Sequence, residues 1–199
     1  DEVLNTFRSA CDRLDEFPTL TFSASSLQFY EWVRDLDPVL FDRIRKHVAA
    51  DRWEVTGGWW VEADSNFPTF ASFVKHAELS QRFAREYFDR EIKVAYLPDS
   101  FGHPATLPKI LAETGFKYFI FCRPNRWEKP DLPGDLFLWE YGGHAVLAYR
   151  LRQHYLGRRV KPPATKDGPL DIPEYRLSPT NCYFFGVGDH GGGPTIEEI

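Results

Sequence analysis

The chain has 199 residues, 43% hydrophobic and 16% aromatic, which suits one globular domain with a sizeable core. Its net charge is −5, and it has neither a basic block nor a charge run, so its composition excludes a nucleic-acid or anionic-membrane surface. No apolar stretch is long enough to span a bilayer, and the scattered Cys11, Cys122 and Cys182 make neither a metal knuckle nor a disulfide framework, which leans towards a reducing, cytoplasmic compartment.

The elements alternate along the chain. Val3, Leu4, Phe7, Ala10 and Leu14 fall near helical spacing and predict a helix at the start. Residues 19 to 24, "TLTFSA", predict a strand, and Ser25 or Ser26 caps the helix that follows through "LQFYEWV". Pro38 opens a second helix, with Val39, Leu40, Ile44 and Val48 on one side. "RWEVTGG", residues 52 to 58, predicts a strand ending in a glycine pair, and a long amphipathic helix then runs from Phe70 to Phe88. "KVAYLPD", residues 93 to 99, predicts a strand. The next helix starts near Pro104 and stops at Gly115. "FKYFIFC", residues 116 to 122, is a further strand, and "LFLWEY" and "AVLAYR" flank Gly142–Gly143 as a hairpin. Residues 156 to 180 are rich in proline without a period and predict a long loop; "NCYFFGVGD", residues 181 to 189, is the last strand.

Strand and helix in alternation imply an α/β fold with mostly parallel strands, and near-continuous apolar strands imply burial on both faces. The chain has no methionine, opens inside a helical pattern and closes on "PTIEEI", a helix beginning. Both ends therefore predict cuts through a single domain spanning residues 1–199.

Sites in parallel α/β folds gather at the C-terminal ends of strands. Three such ends are polar here: "GGWWVEADSN", "PDSFGH" and "GDHGGGPT". They present Glu62, Asp64, Asp99, His103, Asp189 and His190, with Trp59 and Trp60 beside them. Carboxylates and tryptophans on one rim suit a ligand that is polar but has an apolar face, such as a sugar. Each residue also has a purely structural reading: Asp99 as a helix cap, His103 as a capping or supporting residue, and Trp59 or Trp60 as core. Both tryptophans cannot point inward from one strand. "HGGGPT" lacks the Lys-Ser/Thr ending of a phosphate loop.

"LPDSFGHPATLPKIL" resembles the signature of glycoside hydrolase family 38, the zinc-dependent α-mannosidases. "GGWWVEADSNFP", "FIFCRP", "LFLWEY" and "FFGVGDHGGGPT" stand in the order that family shows, from about Ser23 to Thr195. The resemblance implies a (β/α)7-type barrel, incomplete here, and retaining hydrolysis of α-mannosides in the complete protein. It makes Asp99 both the nucleophile and a zinc ligand, with His103 supporting it. It makes Asp189 the acid/base, although some members use a following Asp where this chain has His190. It assigns Arg123 to substrate, and the same rim offers Trp59, Trp60, Asp64 and His190 as substrate contacts. The family's His-x-Asp zinc pair would precede residue 1 and its last zinc His would follow residue 199, so the chain matches one of four protein zinc ligands and predicts a fragment inactive by itself. A polysaccharide-deacetylase type of metal enzyme would need an Asp-Asp motif and an H-x-x-x-H, and the sequence has neither. A non-catalytic sugar-binding module would have no need of paired carboxylates at separate strand ends.

Overall fold

The computed structural model describes residues 1–125, 127–151, 191–196 and 199. Eleven elements are formed among them: α1 (Glu2–Glu16), β1 (Phe22–Ala24), α2 (Leu27–Leu36), α3 (Pro38–Ala49), β2 (Trp53–Val55), α4 (Phe70–Phe88), β3 (Val94–Leu97), α5 (Leu107–Glu113), β4 (Tyr118–Phe121), β5 (Leu136–Tyr141) and β6 (His144–Arg150). The loop predicted over 156 to 180 and the strand predicted over 181 to 189 lie outside the described residues. No described helix is long and apolar enough to cross a membrane.

The strands form two sheets, β1-β2 and β3-β4-β6-β5. A parallel bridge between Gly57 and Ala95 joins them, carried by Gly57 N–H to Val94 O at 3.1 Å and Tyr96 N–H to Gly57 O at 3.3 Å. β1 runs parallel to β2, β3 to β4 and β4 to β6, while β5 pairs antiparallel with β6 through the Gly142–Gly143 turn. Among the described residues this is an open sheet with an antiparallel edge strand. The resemblance implies an incomplete (β/α)7-type barrel; the described strands give its mostly parallel α/β order and no closed barrel.

β1 to β4 are shorter than their apolar runs, while β5 and β6 keep the full predicted length. β1 keeps three residues of the six predicted, and β2 stops at Val55 because the chain turns through Gly57 and Gly58 at φ +86° and +71°. Those turns also permit close approach. A Cβ on Gly58 would lie 2.1 Å from the Phe116 ring, and one on Gly57 would lie 2.6 Å from Ser25 Cβ. Helix starts follow the capping chemistry in two places. Asp37 accepts the Leu40 N–H ahead of Pro38, and Thr69 accepts the Ser72 N–H ahead of Phe70. Two starts differ from the sequence reading. Ser26 stands at the head of α2 but its hydroxyl accepts the distant Glu62 N–H at 3.3 Å. Pro104 precedes a turn, and α5 begins only at Leu107.

Helices α1 to α4 bury their apolar stripes against β1 and β2. Phe7, Ala10, Cys11 and Leu14 of α1 meet Leu27, Tyr30 and Val33 of α2, Leu40, Phe41, Ile44 and Val48 of α3, and Phe73, Ala77, Phe83, Ala84 and Phe88 of α4 in one core. Val39, placed on the apolar side of α3 by the sequence reading, is 75% exposed. At the centre of the core, Trp53 packs edge-on against Phe7 and Phe22 and donates its indole N–H to Tyr30 Oη at 2.9 Å. Tyr30 passes its own proton to Ala24 O at 2.9 Å, so both buried polar atoms are satisfied.

Candidate active site

The parallel register decides which side chains meet. Leu97 of β3 is opposite Phe121 of β4, so the residues two positions on, Asp99 and Arg123, leave neighbouring strands side by side at the C-terminal edge. Arg123 Nε lies 3.0 Å from Asp99 Oδ1, with Asp99 about half exposed and Arg123 about a quarter. The contact is ionic: the Nε–H is not aimed along a hydrogen bond to that oxygen. The guanidinium also lies over the Phe101 ring, 4.8 Å from its centroid, and Phe101 is 72% exposed.

The end of β2 brings a second carboxyl to this pair. Glu62 lies beside the Asp99 backbone N–H, which favours its charged form, and feels the Asp99 charge, which opposes it. Crowding by surrounding atoms, with that like charge added and the hydrogen bond opposing, pushes the Glu62 carboxyl up to about 7. Glu62 is nevertheless an exposed residue, and solvent contact weakens that crowding. Asp64, two residues on, uses Oδ1 to accept the Asn66 N–H at 3.1 Å, which closes a turn around Ser65.

His103 does not touch Asp99. Its Nε2 lies 2.8 Å from the Arg123 carbonyl and its Nδ1 lies 2.9 Å from Ser65 Oγ. The ring stands edge-on to Phe119 and Phe121, at 5.1 and 5.3 Å between centroids. Burial lowers its pKa to about 4, with the Arg123 carbonyl and Asp64 opposing. At neutral pH the ring is therefore uncharged, and since a carbonyl can only accept, the proton sits on Nε2. Asp99 and His103 share one short turn because each holds one part of Arg123: His103 holds its main chain, and Asp99 meets its side chain.

A folded-state pKa below the ordinary 6.5 means that the neutral ring favours the folded form. That stability is complete above about pH 6.5 and is lost as pH falls towards 4, up to roughly 3 kcal/mol. Unfolding midpoints measured from pH 7 to 4 are expected to fall more steeply for the native protein than for His103→Gln. Parallel curves would show that this ring does not titrate with folding.

The tryptophans take structural places. Trp59 is 2% exposed and packs against Phe73 and Phe116, so the expectation that it faces a sugar is corrected: the glycine turn before it sends the indole into the core. Trp60 is half-buried, donates its indole N–H to Gln28 at 2.8 Å and packs on Phe83. Asp189 and His190 lie outside the described residues. Just beyond them, Gly192 N–H donates to Thr6 Oγ1 of α1 at 2.7 Å. The sequence reading gave no role to Ser65 or Ser100, although both are buried in this network; two serines in strand-end loops carry no signal that separates them from ordinary turn residues.

Among the described residues no three His, Cys, Asp or Glu side chains stand close enough to share a metal. The described residues by themselves therefore do not fit a zinc centre, and Asp99 is the one zinc ligand the sequence resemblance assigns among them.

The chain is similar to known proteins in sequence and in fold. The family model described as "Glycosyl hydrolases family 38 N-terminal domain" matches residues 1–199. Alpha-mannosidase G of Dictyostelium discoideum is 32% identical over 211 residues, covering 100% of this chain and 18% of that protein. The chain spans only about a fifth of the length of the curated relatives it matches. In fold, the chain is similar to an alpha-mannosidase from Enterococcus faecalis V583, with a TM-score of 0.68 at 14% identity over 77% of this chain and 18% of that one. It is also similar to a putative polysaccharide deacetylase from Mycobacterium smegmatis, with a TM-score of 0.57 at 14% identity over 78% of this chain and 48% of that one. The two solved structures speak for the fold alone. The match along the whole length means that the chain belongs to glycosyl hydrolase family 38 and lies within its N-terminal domain.

Proposed function

We propose that the protein carrying this chain hydrolyses α-mannosides with retention of configuration, and that Asp99 is its nucleophile. The carrying observation is the Asp99 carboxylate, half exposed at the C-terminal strand edge and paired with Arg123 at 3.0 Å. One Asp99 oxygen attacks the anomeric carbon while the glycosidic C–O bond breaks, and Asp189 protonates the departing oxygen. Asp189 then takes a proton from water as that water displaces Asp99 and releases mannose. A retaining enzyme needs its two carboxyls about 5 to 5.5 Å apart. Arg123 presents a planar fork of donors at the same edge and binds sugar hydroxyls. Phe101, exposed beside it, offers an apolar surface to the sugar ring. Asp64 and His190 belong to the reading as further polar substrate contacts, carried over from the sequence.

Zinc belongs to this reading through the family, with Asp99 as one ligand. The steps above are those of the chain's own groups. The (β/α)7 barrel belongs to the reading in the same way, as the form of the complete domain that the open sheet would help to build.

The deacetylase reading shares the fold, but it needs a metal-binding Asp with two His, and the sequence has neither an Asp-Asp pair nor an H-x-x-x-H. The test is Asp189→Asn in the full-length enzyme on aryl and alkyl α-mannosides. Loss of acid assistance is expected to slow alkyl substrates by about 10²–10⁴-fold and activated aryl substrates less in the first step. Azide, which needs no base, is expected to restore turnover of the aryl substrates. Equal slowing on both, unmoved by azide, would transfer the acid/base role to another group, with His190 the first to test.

A further inference from the structure

We propose that Ser65 and Ser100 are positioning residues, whose hydroxyls form a one-way hydrogen-bond relay that fixes the Nε2–H tautomer of His103 and, through it, the placement of Arg123 on Asp99. The link to catalysis rests on the α-mannosidase reading above; the relay itself stands on geometry.

The proton bookkeeping leaves little freedom. His103 Nε2–H must donate to the Arg123 carbonyl at 2.8 Å, so Nδ1 needs a donor. Ser65 Oγ, at 2.9 Å, meets it. Ser65 has one hydroxyl proton, and although the Gly102 carbonyl stands as near, at 2.8 Å, the proton is assigned to His103 because Nδ1 meets no other donor in this network. That carbonyl is served instead by Asn66 Nδ2–H at 3.0 Å. Ser65 Oγ can then accept, and Ser100 Oγ stands 2.8 Å away. Ser100 Oγ accepts in turn from the Ser65 backbone N–H at 2.8 Å. The order runs from Ser65 N–H to Ser100, to Ser65 Oγ, to His103 and to the Arg123 carbonyl. Other uses of the Ser100 proton, on the Gly102 carbonyl at 3.0 Å or Asp64 at 3.4 Å, are longer.

Ser65 is 1% exposed and Ser100 3%, so water does not replace a lost partner cheaply. The relay joins the ends of three neighbouring strands: Ser65 follows β2, Ser100 follows β3, and Arg123 follows β4. Removing the Ser65 hydroxyl frees His103 to turn and releases the backbone beneath Arg123. Displacement of about 1 Å at reacting groups costs on the order of 10²-fold in rate.

The test is made in the full-length enzyme. Ser65→Ala is expected to lower kcat by about 10- to 100-fold, with KM changing less than about threefold. Ser65→Thr, which keeps the hydroxyl, is expected to recover most of the rate. Ser100→Ala is expected to show a weaker form of the same loss, and it serves as the second variant where Ser65→Ala fails to fold. Ser80→Ala, a buried serine on α4, is the control and is expected to leave kcat unchanged. In an Arg123→Ala background, Ser65→Ala is expected to cost little more, because its effect passes through Arg123. A lowered melting temperature with native kcat, or full additivity with Arg123→Ala, would overturn the proposal. Crystal structures supply a readout that needs no activity: Arg123 is expected to leave Asp99 in Ser65→Ala, or in Ser100→Ala where Ser65→Ala does not fold, and to stay in Ser65→Thr. An unmoved 3.0 Å pair in the alanine variant would overturn it as well. A native enzyme inactive on α-mannosides would sink the functional reading alone, with the crystal structures still deciding the relay.

Discussion

Asp99→Asn in the full-length enzyme is expected to abolish turnover of α-mannosides, with a loss on the order of 10⁴-fold or more in kcat. The amide keeps the shape of the side chain but cannot serve as the attacking oxyanion, so no glycosyl-enzyme forms. Added azide is expected not to restore activity with retention, which separates this variant from Asp189→Asn. The substitution also removes the charge that meets Arg123 at 3.0 Å and the like charge beside Glu62. With that neighbour gone, the Glu62 carboxyl is expected to titrate lower, and the fold is expected to survive because Asp99 lies outside the core. The measurements are steady-state rates on aryl and alkyl α-mannosides, and mass spectrometry of the protein quenched during turnover for a covalent mannosyl adduct. A variant that keeps more than about a tenth of the native rate would remove Asp99 from the nucleophile's role.

The second large effect is on stability. Trp53→Ala is expected to cost about 3–5 kcal/mol. The indole is 2% exposed, sits among Phe7, Phe22 and Tyr30, and satisfies the Tyr30 hydroxyl, which is wholly buried. The variant opens a cavity and strips a buried hydroxyl of its donor at once. Trp53→Phe fills most of the space and loses only the N–H, so its cost is expected to be nearer 1–2 kcal/mol. Native-state hydrogen exchange of the β1 and β2 amides in the full-length protein reads this locally, without requiring the whole molecule to unfold as one unit. The loop from Gly57 to Ser65 hangs on β2, so the Ser65 contacts are expected to loosen in Trp53→Ala. A loss below about 1 kcal/mol would mean that the aromatic cluster does not carry this half of the fold.

Periodicity and caps determined the long helices. The stripe of Phe73, Ala77, Phe83, Ala84 and Phe88 behind Thr69 marks α4, and Asp37 with Pro38 marks the start of α3, because a helix face and its first turn are local properties. The D-x-F-G-H segment and the segments in order around it determined the family, since they bring chemistry, spacing and sequence order together. Alternation of strand and helix determined that the sheet is mostly parallel, and hence that Asp99 and Arg123 leave strand ends where sites gather.

Tertiary structure alone decided the rest. β1 to β4 kept only three or four residues, since a glycine turn follows β2 and the pairing partners of all four are distant in sequence. Trp59 and Trp60 look alike as neighbours, yet one fills the core and the other spends its N–H on Gln28, a choice made by the positive-φ turn before them. Register alone set Asp99 beside Arg123, since a shift of one residue along β4 would carry the guanidinium away. The Ser65, Ser100 and His103 relay joins residues up to 38 positions apart. A serine in a loop announces nothing until the strands that flank it are placed, because a hydrogen bond is fixed by ångströms and angles that only packing supplies.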